Sequence, residues 1–273
     1  MASLNGARVA LLEARMSAEL ASMVERFGGT PYSVPAVREA PLQLPEDVGA
    51  FLDTLCGGRL GVIVLMTGVG VTALLREAER LGRLDAALAA LRTTTTVCRG
   101  PKPVAVLRRH DVPVAMTAAE PHTTTEVLQA LERLDVAGKT VGLVHYGERN
   151  ETAADGLRAR GAVVHEICLY EWRLPDDVAP LERLVGEIIG GRVDAIAITS
   201  QIQCRHLFQI AETLGQSRAL AEALNAKVVV AAVGPVCASA LRSFGVIPHV
   251  QPPHPKMGPM LVALADYFEL TGR

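Results

Sequence analysis

The segment VIVLMTGVGVTALLREAERLG, residues 62–82, decides the fold class. It begins with an apolar run typical of a buried strand, passes through Thr67 and two nearby glycines, and ends in an apolar pattern of helical period. A second segment, AIAITSQIQCRHLFQIAETLG at residues 195–215, repeats this order, with Ser200 in the place of Thr67. Because a buried strand followed directly by a helix is the unit of a parallel α/β sheet, the sequence predicts that class.

The repeat extends over most of the chain. Three further pairs of residues recur in the same order and at nearly the same spacing: Gly28 and Gly161, Gly100 and Gly234, and His122 and His254. Matched motifs at one offset predict two similar halves, roughly 8–134 and 140–273. We therefore expect two similar α/β domains with parallel, flavodoxin-like sheets flanked by helices.

The composition excludes several classes of protein. The 273 residues are 49% hydrophobic and 21% charged, which favours a packed core. A net charge of −2 with scattered Lys and Arg residues argues against nucleic acid and anionic membranes. With neither a membrane-length apolar run nor a signal-peptide pattern, a cytoplasmic protein is expected. The 5 cysteines lack metal-ligand spacing, so we expect reduced thiols and no metal.

The loops that follow the strands are candidate binding sites for negative charge. Helix N-termini offer unpaired amides, and the hydroxyls of Thr67, Thr199 and Ser200 add donors. The Walker pattern is absent, and GVGVTA departs from GxGxxG at Ala73, which disfavours a nucleotide phosphate. Two interpretations stay open: paired loops that bind an anionic ligand in a cleft between two domains, or ordinary N-caps and turns.

In the order of its motifs, the chain resembles the uroporphyrinogen-III synthase family over about residues 9–268. The opening strand and helix, VALLEARMSAELASMVERFGG, has Arg15 at the family's arginine. The other motifs that carry the resemblance are the two "TSP-like" loops at Met66-Thr67-Gly68 and Thr199-Ser200-Gln201, the two G-x-x-T-A loops at Gly100–Pro103 and Gly234–Ala238, and ICLYEW, which places the family's candidate catalytic tyrosine at Tyr170.

This resemblance implies an enzyme of tetrapyrrole biosynthesis that uses no cofactor and no metal. Its substrate would be hydroxymethylbilane, a linear tetrapyrrole with acetate and propionate groups. The enzyme would remove the terminal hydroxyl, invert the last ring through a spiro intermediate and close the macrocycle to uroporphyrinogen III. A monomer is expected, with at most transient contact with the preceding pathway enzyme. The alternative is a non-catalytic paralogue of the same fold that senses a tetrapyrrole or another polycarboxylate.

The resemblance also implies how the chain divides. One domain would contain residues 1–36 and 174–273, and the other residues 37–173. The segments SVPAVREAP (33–41) and LYEWRLP (169–175) would form a two-stranded linker between them, since both follow a strand and contain proline. The ligand cleft would lie between the two domains.

The predicted site residues follow from the same resemblance. Tyr170 is the predicted proton donor to the leaving hydroxyl. Substrate binding is predicted at Arg15, Thr67, Gly68, Val69, Gly70, Val71, Gly100, Pro101, Lys102, Tyr146, Gly147, Glu148, Thr199, Ser200, Gln201, Gly234, Pro235, Val236 and Cys237. The chain departs from the family pattern at Met66, Gly68, Pro103, Gln201 and Cys237, where relatives place hydroxyls or prolines.

Overall fold

The structure, a computed structural model, describes residues 2–42 and 45–272, without the side chains of residues 41, 45 and 46. The first part of the chain forms β1 (Arg8–Leu11), α1 (Ser17–Arg26), β2 (Thr30–Ser33), β3 (Arg38–Pro41), α2 (Pro45–Cys56), β4 (Val62–Leu65), α3 (Gly68–Arg80), α4 (Leu84–Thr93), β5 (Thr95–Cys98), α5 (Pro101–Arg108), β6 (Met116–Thr117) and α6 (Thr124–Leu131). The remainder forms β7 (Thr140–Val144), α7 (Glu151–Ala159), β8 (Val163–Ile167), β9 (Tyr170–Arg173), α8 (Ala179–Ile189), β10 (Ala195–Ile198), α9 (Gln201–Thr213), α10 (Ser217–Ala226), β11 (Val229–Ala232), α11 (Pro235–Ser243) and α12 (Met257–Thr271).

The chain separates into two compact units. Unit 1 contains residues 1–38 and 173–273, and unit 2 contains residues 39–172. The domain bounds taken from the family resemblance, 1–36 with 174–273 and 37–173, stay a prediction, and their end residues 1 and 273 lie outside the described residues. The cleft expected between the domains also stays a prediction.

Each unit contains one parallel sheet, which confirms the predicted fold class. Unit 1 has the strand order β11-β10-β1-β2, and unit 2 has the order β6-β5-β4-β7-β8. All the strand pairs in these two sheets are parallel. With strands numbered within each unit, unit 1 has the flavodoxin-like order 2-1-3-4, whereas unit 2 has the other doubly wound order, 3-2-1-4-5. In both sheets, the connections on the two sides of one central strand pair run in opposite directions.

The sequence repeat is visible in the folded chain. Helices α3 and α9 occupy residues 68–80 and 201–213, so they have equal lengths and follow the spacing of the repeat at both ends. The pairing of β5 with β6 in unit 2 has its counterpart in a parallel bridge between Ala231 and Val250 in unit 1. Each unit combines the first β-α-β segment of one sequence half with the remainder of the other half, so the repeated halves are not the compact units.

Alternation of side chains along the strands explains why both faces of each sheet are covered by helices. Strands β4, β10 and β11 are buried at every position. Along β10, Ile196 and Ile198 enter one apolar cluster, while Ala195 and Ala197 enter another on the opposite face. Since successive side chains of a strand point to opposite faces, an uninterrupted apolar strand requires helices on both sides.

The two segments predicted to link the domains pair with each other. Strand β3 lies in 33–41 and β9 lies in 169–175, and together they form a separate two-stranded sheet. The boundaries between the units fall within these strands, at residues 38–39 and 172–173. Among the described residues, no helix has the length and apolar character needed to cross a membrane.

Candidate functional site

The fold places most of the predicted residues at the carboxyl-terminal edges of the two sheets. In an open, doubly wound parallel sheet, the crevice that binds ligands lies where neighbouring connections leave in opposite directions. This point lies between β4 and β7 in unit 2 and between β1 and β10 in unit 1. We call these positions edge 2 and edge 1.

Thr67 organises the start of α3 at edge 2. It is the N-cap residue, and its hydroxyl oxygen accepts the Gly70 amide at 2.9 Å. The Val71 amide donates to the Thr67 carbonyl at 3.1 Å. Of the amides in this first turn, those of Gly68 and Val69 have no acceptor among the described residues. These two groups are therefore the backbone donors that edge 2 offers to an anion.

Tyr170 joins this cap from a distant part of the chain. Its hydroxyl lies 2.9 Å from the Thr67 hydroxyl, although the two residues are 103 positions apart. The tyrosine is 3% exposed, and its ring meets Trp172 edge to face, with ring centroids 5.2 Å apart. Because the Thr67 oxygen already accepts an amide, its hydrogen remains able to donate to Tyr170.

The loop after β7, which carries the predicted residues Tyr146, Gly147 and Glu148, is fixed by a buried histidine. His145 Nδ1 accepts the Asn150 amide at 3.0 Å, and Nε2 lies 2.8 Å from a Glu166 oxygen. Since Nδ1 is an acceptor, the hydrogen is on Nε2 and is donated to Glu166. Burial lowers the pKa of the His145 imidazole, and the Glu166 contact opposes this only in part.

Trp172 closes over the same loop. Its indole nitrogen donates to the Tyr146 carbonyl at 3.0 Å, and its amide donates to the Gly147 carbonyl at 3.3 Å. Gly147 has φ +70°, and a Cβ atom there would lie 2.1 Å from the indole nitrogen. The glycine is therefore required both by its backbone conformation and by the indole packed against it.

Stability should fall as the pH drops below about 6.5, because two buried imidazoles must remain neutral in the folded protein. Burial lowers the pKa of both His145 and His206, whose Nδ1 donates to the Ala36 carbonyl at 2.7 Å. The unfolded chain thus binds more protons than the folded chain below that pH. We expect each imidazole to remove at most about 1.4 kcal/mol per pH unit from the free energy of unfolding.

Urea unfolding at about pH 7.5 and about pH 5.5 measures this loss of stability. Both pH values lie above the range in which ordinary carboxylates titrate, so the histidines dominate the difference. The matched variant is His206→Asn, which keeps a donor to Ala36 but does not titrate. It should lose less stability than the wild type over this interval. If both proteins lost the same free energy of unfolding between the two pH values, His206 would be excluded as a source of the pH dependence.

The Gly100–Lys102 segment meets the start of α3, but it offers few backbone donors. A Cβ atom at Gly68 would lie 3.0 Å from the Lys102 carbonyl oxygen, which shows how closely the two helix starts approach. Pro101 and Pro103 carry no amide hydrogen, so Lys102 supplies the one amide among the first three residues of α5. Lys102 itself has an exposed side chain.

Arg99, which the sequence interpretation did not select, lies between these loops. Its amide donates to the Leu65 carbonyl at 3.0 Å, and its guanidinium carbon lies 4.9 Å from the centroid of the Tyr146 ring. Burial lowers the pKa of this guanidinium, while Tyr146 and Tyr170 raise it. A charged residue directly after an apolar strand was the one sequence signal that could have identified it.

Edge 1 contains a different polar network, built around a carboxylate. The Thr199 hydroxyl donates to Glu13 Oε2, and the side-chain nitrogen Nε2 of Gln203 donates to the same oxygen at 3.2 Å. The other Glu13 oxygen accepts the Arg15 amide at 3.2 Å. Ser200 is the N-cap of α9, and its hydroxyl oxygen accepts a hydrogen bond from the backbone amide of Gln203 at 3.4 Å. Glu13 and Gln203 were missed from the sequence, although Glu13 is the counterpart of Tyr146 in the repeat.

The second predicted loop of unit 1 has mixed exposure. A Cβ atom at Gly234 would lie 2.8 Å from Pro255, so this position has no room for a side chain. Pro235 is the first residue of α11, and Val236 is 42% exposed. Cys237 is 2% exposed and lies in the core, where burial raises the pKa of its thiol to about 12. Cys237 can therefore offer a ligand its backbone but not its side chain.

Thiol labelling should separate the cysteines into two groups. Burial raises the pKa of Cys98, Cys204 and Cys237 to about 12, so their reactive thiolate is scarce at neutral pH. Iodoacetamide should leave these three unmodified in the native protein and modify all cysteines after denaturation. Cys56 and Cys168 are partly exposed and serve as internal controls. Peptide mass mapping gives the result, and native labelling of the three at the rate of Cys168 would contradict it.

A cavity of about 330 Å³ lies in unit 2 beside the loop after β7. Its lining includes the predicted residues Gly147 and Glu148, together with Arg149, Glu166 and Cys168. Within residues 2–42 and 45–272, no cluster of three or more His, Cys, Asp or Glu residues has the arrangement of a metal site.

The fold and its two edges define a class, that of duplicated, doubly wound α/β proteins with polar loops at the strand ends. Within this class, residues 18–262 match the family described as "Uroporphyrinogen-III synthase HemD". The chain belongs to this family, which confirms the resemblance seen in its motifs.

Individual relatives and a solved structure are similar to the chain over nearly its full length. The chain is 32% identical over 267 residues, 97% of both chains, to "Uncharacterized protein YjjA" of Bacillus subtilis (strain 168). It is 29% identical over 254 residues to "Putative uroporphyrinogen-III synthase" of Methanothermobacter thermautotrophicus, covering 91% of this chain and 93% of the relative. A mutant uroporphyrinogen III synthase from Thermus thermophilus is 28% identical with a TM-score of 0.76, covering 98% of this chain and 100% of that chain.

Proposed function

We propose that the protein is a uroporphyrinogen-III synthase, which cyclises hydroxymethylbilane with loss of water and inversion of the last ring. Membership of the family supports this reaction. The observation that carries the proposal is the contact between the hydroxyls of Tyr170 and Thr67 at edge 2. It joins a phenol hydroxyl, which can protonate a leaving group, to the N-terminus of a helix that can bind an anion.

In this proposal, Tyr170 donates its proton to the terminal hydroxyl of the substrate. The carbon–oxygen bond breaks, water leaves, and the electron-rich pyrrole retains the positive charge. The hydroxyl of Thr67 then donates to the tyrosine oxygen, because its own oxygen is held by the Gly70 amide. After ring inversion and closure, loss of a proton from the last pyrrole carbon restores the tyrosine.

Substrate binding in this proposal uses the predicted residues at both sheet edges. Backbone donors at Gly68 and Val69 bind acetate or propionate groups without a cluster of basic side chains. Edge 1 would contribute Arg15, Thr199, Ser200 and Gln201, together with the loop from Gly234 to Cys237. Much of the catalysis then consists in holding the linear tetrapyrrole in a conformation in which its last ring folds back before the macrocycle closes.

Isomer analysis of the product tests the proposal. Freshly made hydroxymethylbilane closes without an enzyme to isomer I, so isomer III reports catalysed inversion. We expect isomer III to predominate when the protein is present. Isomer I alone, at the rate seen without protein, would refute the enzymatic assignment.

A second candidate function is a non-catalytic sensor of a tetrapyrrole. One observation favours it: Tyr170 is 3% exposed and its hydroxyl is already bonded, as a purely structural tyrosine would be. A sensor would bind uroporphyrin III tightly, produce no isomer III, and bind equally well after Tyr170→Phe. Isomer III in the assay above would reject this candidate.

A further inference from the structure

Arg99 reaches across the end of the central strand of unit 2. The residue follows β5, and the Tyr146 ring that it covers follows β7. Strands β5 and β7 lie on opposite sides of β4. The guanidinium therefore spans the carboxyl end of β4, where Thr67 and the first amides of α3 begin.

The guanidinium has no carboxylate partner among the described residues. The contact that the structure gives it is the ring of Tyr146, whereas the partly buried Arg8 pairs with Glu187 at 3.0 Å. A partly buried charge without a counterion is costly, and the cost falls when an anion arrives. The guanidinium carbon lies 4.9 Å from the centroid of the Tyr146 ring, and the planar guanidinium can donate two parallel hydrogen bonds to a carboxylate.

The repeat shows that the fold itself does not require an arginine here. The counterpart of Arg99 in the other half of the repeat is Val233, which follows β11 directly. The counterpart of Tyr146 is Glu13, which is held by Thr199 and Gln203 at edge 1. The two edges thus share a backbone plan, but edge 2 alone carries this cation.

We infer that Arg99 binds a carboxylate of the ligand, with the guanidinium oriented by Tyr146 and supplementing the amides of Gly68 and Val69. The prolines at 101 and 103 remove two backbone donors from the neighbouring helix start, and Arg99 supplies side-chain donors at that position. The identification of this carboxylate as an acetate or propionate of a tetrapyrrole rests on the proposed function.

Binding of uroporphyrin III, followed by quenching of its fluorescence, tests this role. Arg99→Gln should raise the dissociation constant about 10- to 100-fold, as expected for loss of a charged hydrogen-bonded contact. The matched control is Arg108→Gln, which removes an exposed charge from the far end of α5 and should bind within about twofold of wild type. Arg99→Lys keeps the charge but loses the planar fork, and should be intermediate.

Two results overturn the inference. One is a folded Arg99→Gln variant that binds like Arg108→Gln. The other, which decides the matter if Arg99→Gln fails to fold, is an Arg99→Lys variant indistinguishable from wild type. The synthase proposal fails separately: Arg99-dependent binding without isomer III supports the carboxylate contact and rejects the enzyme. Formation of isomer III together with binding that does not depend on Arg99 would support the enzyme and reject the carboxylate contact.

Discussion

Replacing Tyr170 by Phe is expected to lower kcat for isomer III by about 10²- to 10⁴-fold, the usual contribution of a general acid. The substitution removes one oxygen and the 2.9 Å contact with Thr67, while the ring can keep its packing against Trp172. Because the lost interaction acts on the leaving group, KM and uroporphyrin III binding should change little. Steady-state kinetics with isomer separation measures both effects.

Tyr267→Phe is the matched control, since it removes the same atom from α12 in unit 1. Its kcat should stay near that of the wild type. Thr67→Ala should give an intermediate loss, because Tyr170 keeps its proton but loses its partner and α3 loses its cap. A Tyr170→Phe enzyme with kcat within twofold of the wild type would remove Tyr170 from the mechanism.

Replacing Gly147 by Ala is expected to cause the largest loss of stability. The backbone there has φ +70°, and the new Cβ atom would fall 2.1 Å from the Trp172 indole nitrogen. A non-glycine residue in this conformation costs about 1–2 kcal/mol. Displacing the indole also breaks its hydrogen bond to Tyr146, so the total loss should exceed about 3 kcal/mol. Chemical denaturation gives the free energy of unfolding.

Gly138→Ala separates the two causes. Gly138 has φ +68°, but a Cβ atom there meets no atom within 4 Å. This control should therefore lose only the conformational part, about 1–2 kcal/mol. If the two variants were destabilised equally, the packing of Trp172 against the loop would have no energetic role.

The repeat was the strongest signal in the sequence, and it predicted the folded chain well. Apolar runs such as those at residues 62–65 and 195–198 are strands buried on both faces, and the helices after them keep the same spacing. The repeat alone could not show that each unit exchanges its first β-α-β segment with the other half. Strand pairing depends on packing between distant segments, which a local pattern does not contain.

The site was predictable in its backbone and less so in its side chains. Thr67 and Ser200 are N-caps because a hydroxyl follows a strand and precedes a helix, which is a local signal. The contacts of Glu13 with Thr199, and of Arg99 with Tyr146, join residues from different strands, so only the strand order brings them together.

Met66 shows how one departure from the family pattern is accommodated. The family resemblance predicts a hydroxyl at this position, and its repeat counterpart Thr199 donates to Glu13. Here the methionine side chain is 1% exposed and packs in the apolar core of unit 2. The same repeat position therefore makes a polar edge contact in unit 1 and packs in the apolar core in unit 2.

A single-turnover experiment with hydroxymethylbilane tests the proposed reaction most directly. When the protein is in excess over substrate, most hydroxymethylbilane is bound and little is free to close spontaneously in solution. Weak catalysis is therefore not hidden by the uncatalysed formation of isomer I. We expect uroporphyrinogen III as the main product, and a shift towards isomer I in the Tyr170→Phe variant. An isomer I product from the wild type, formed at the spontaneous rate, would contradict the proposed function.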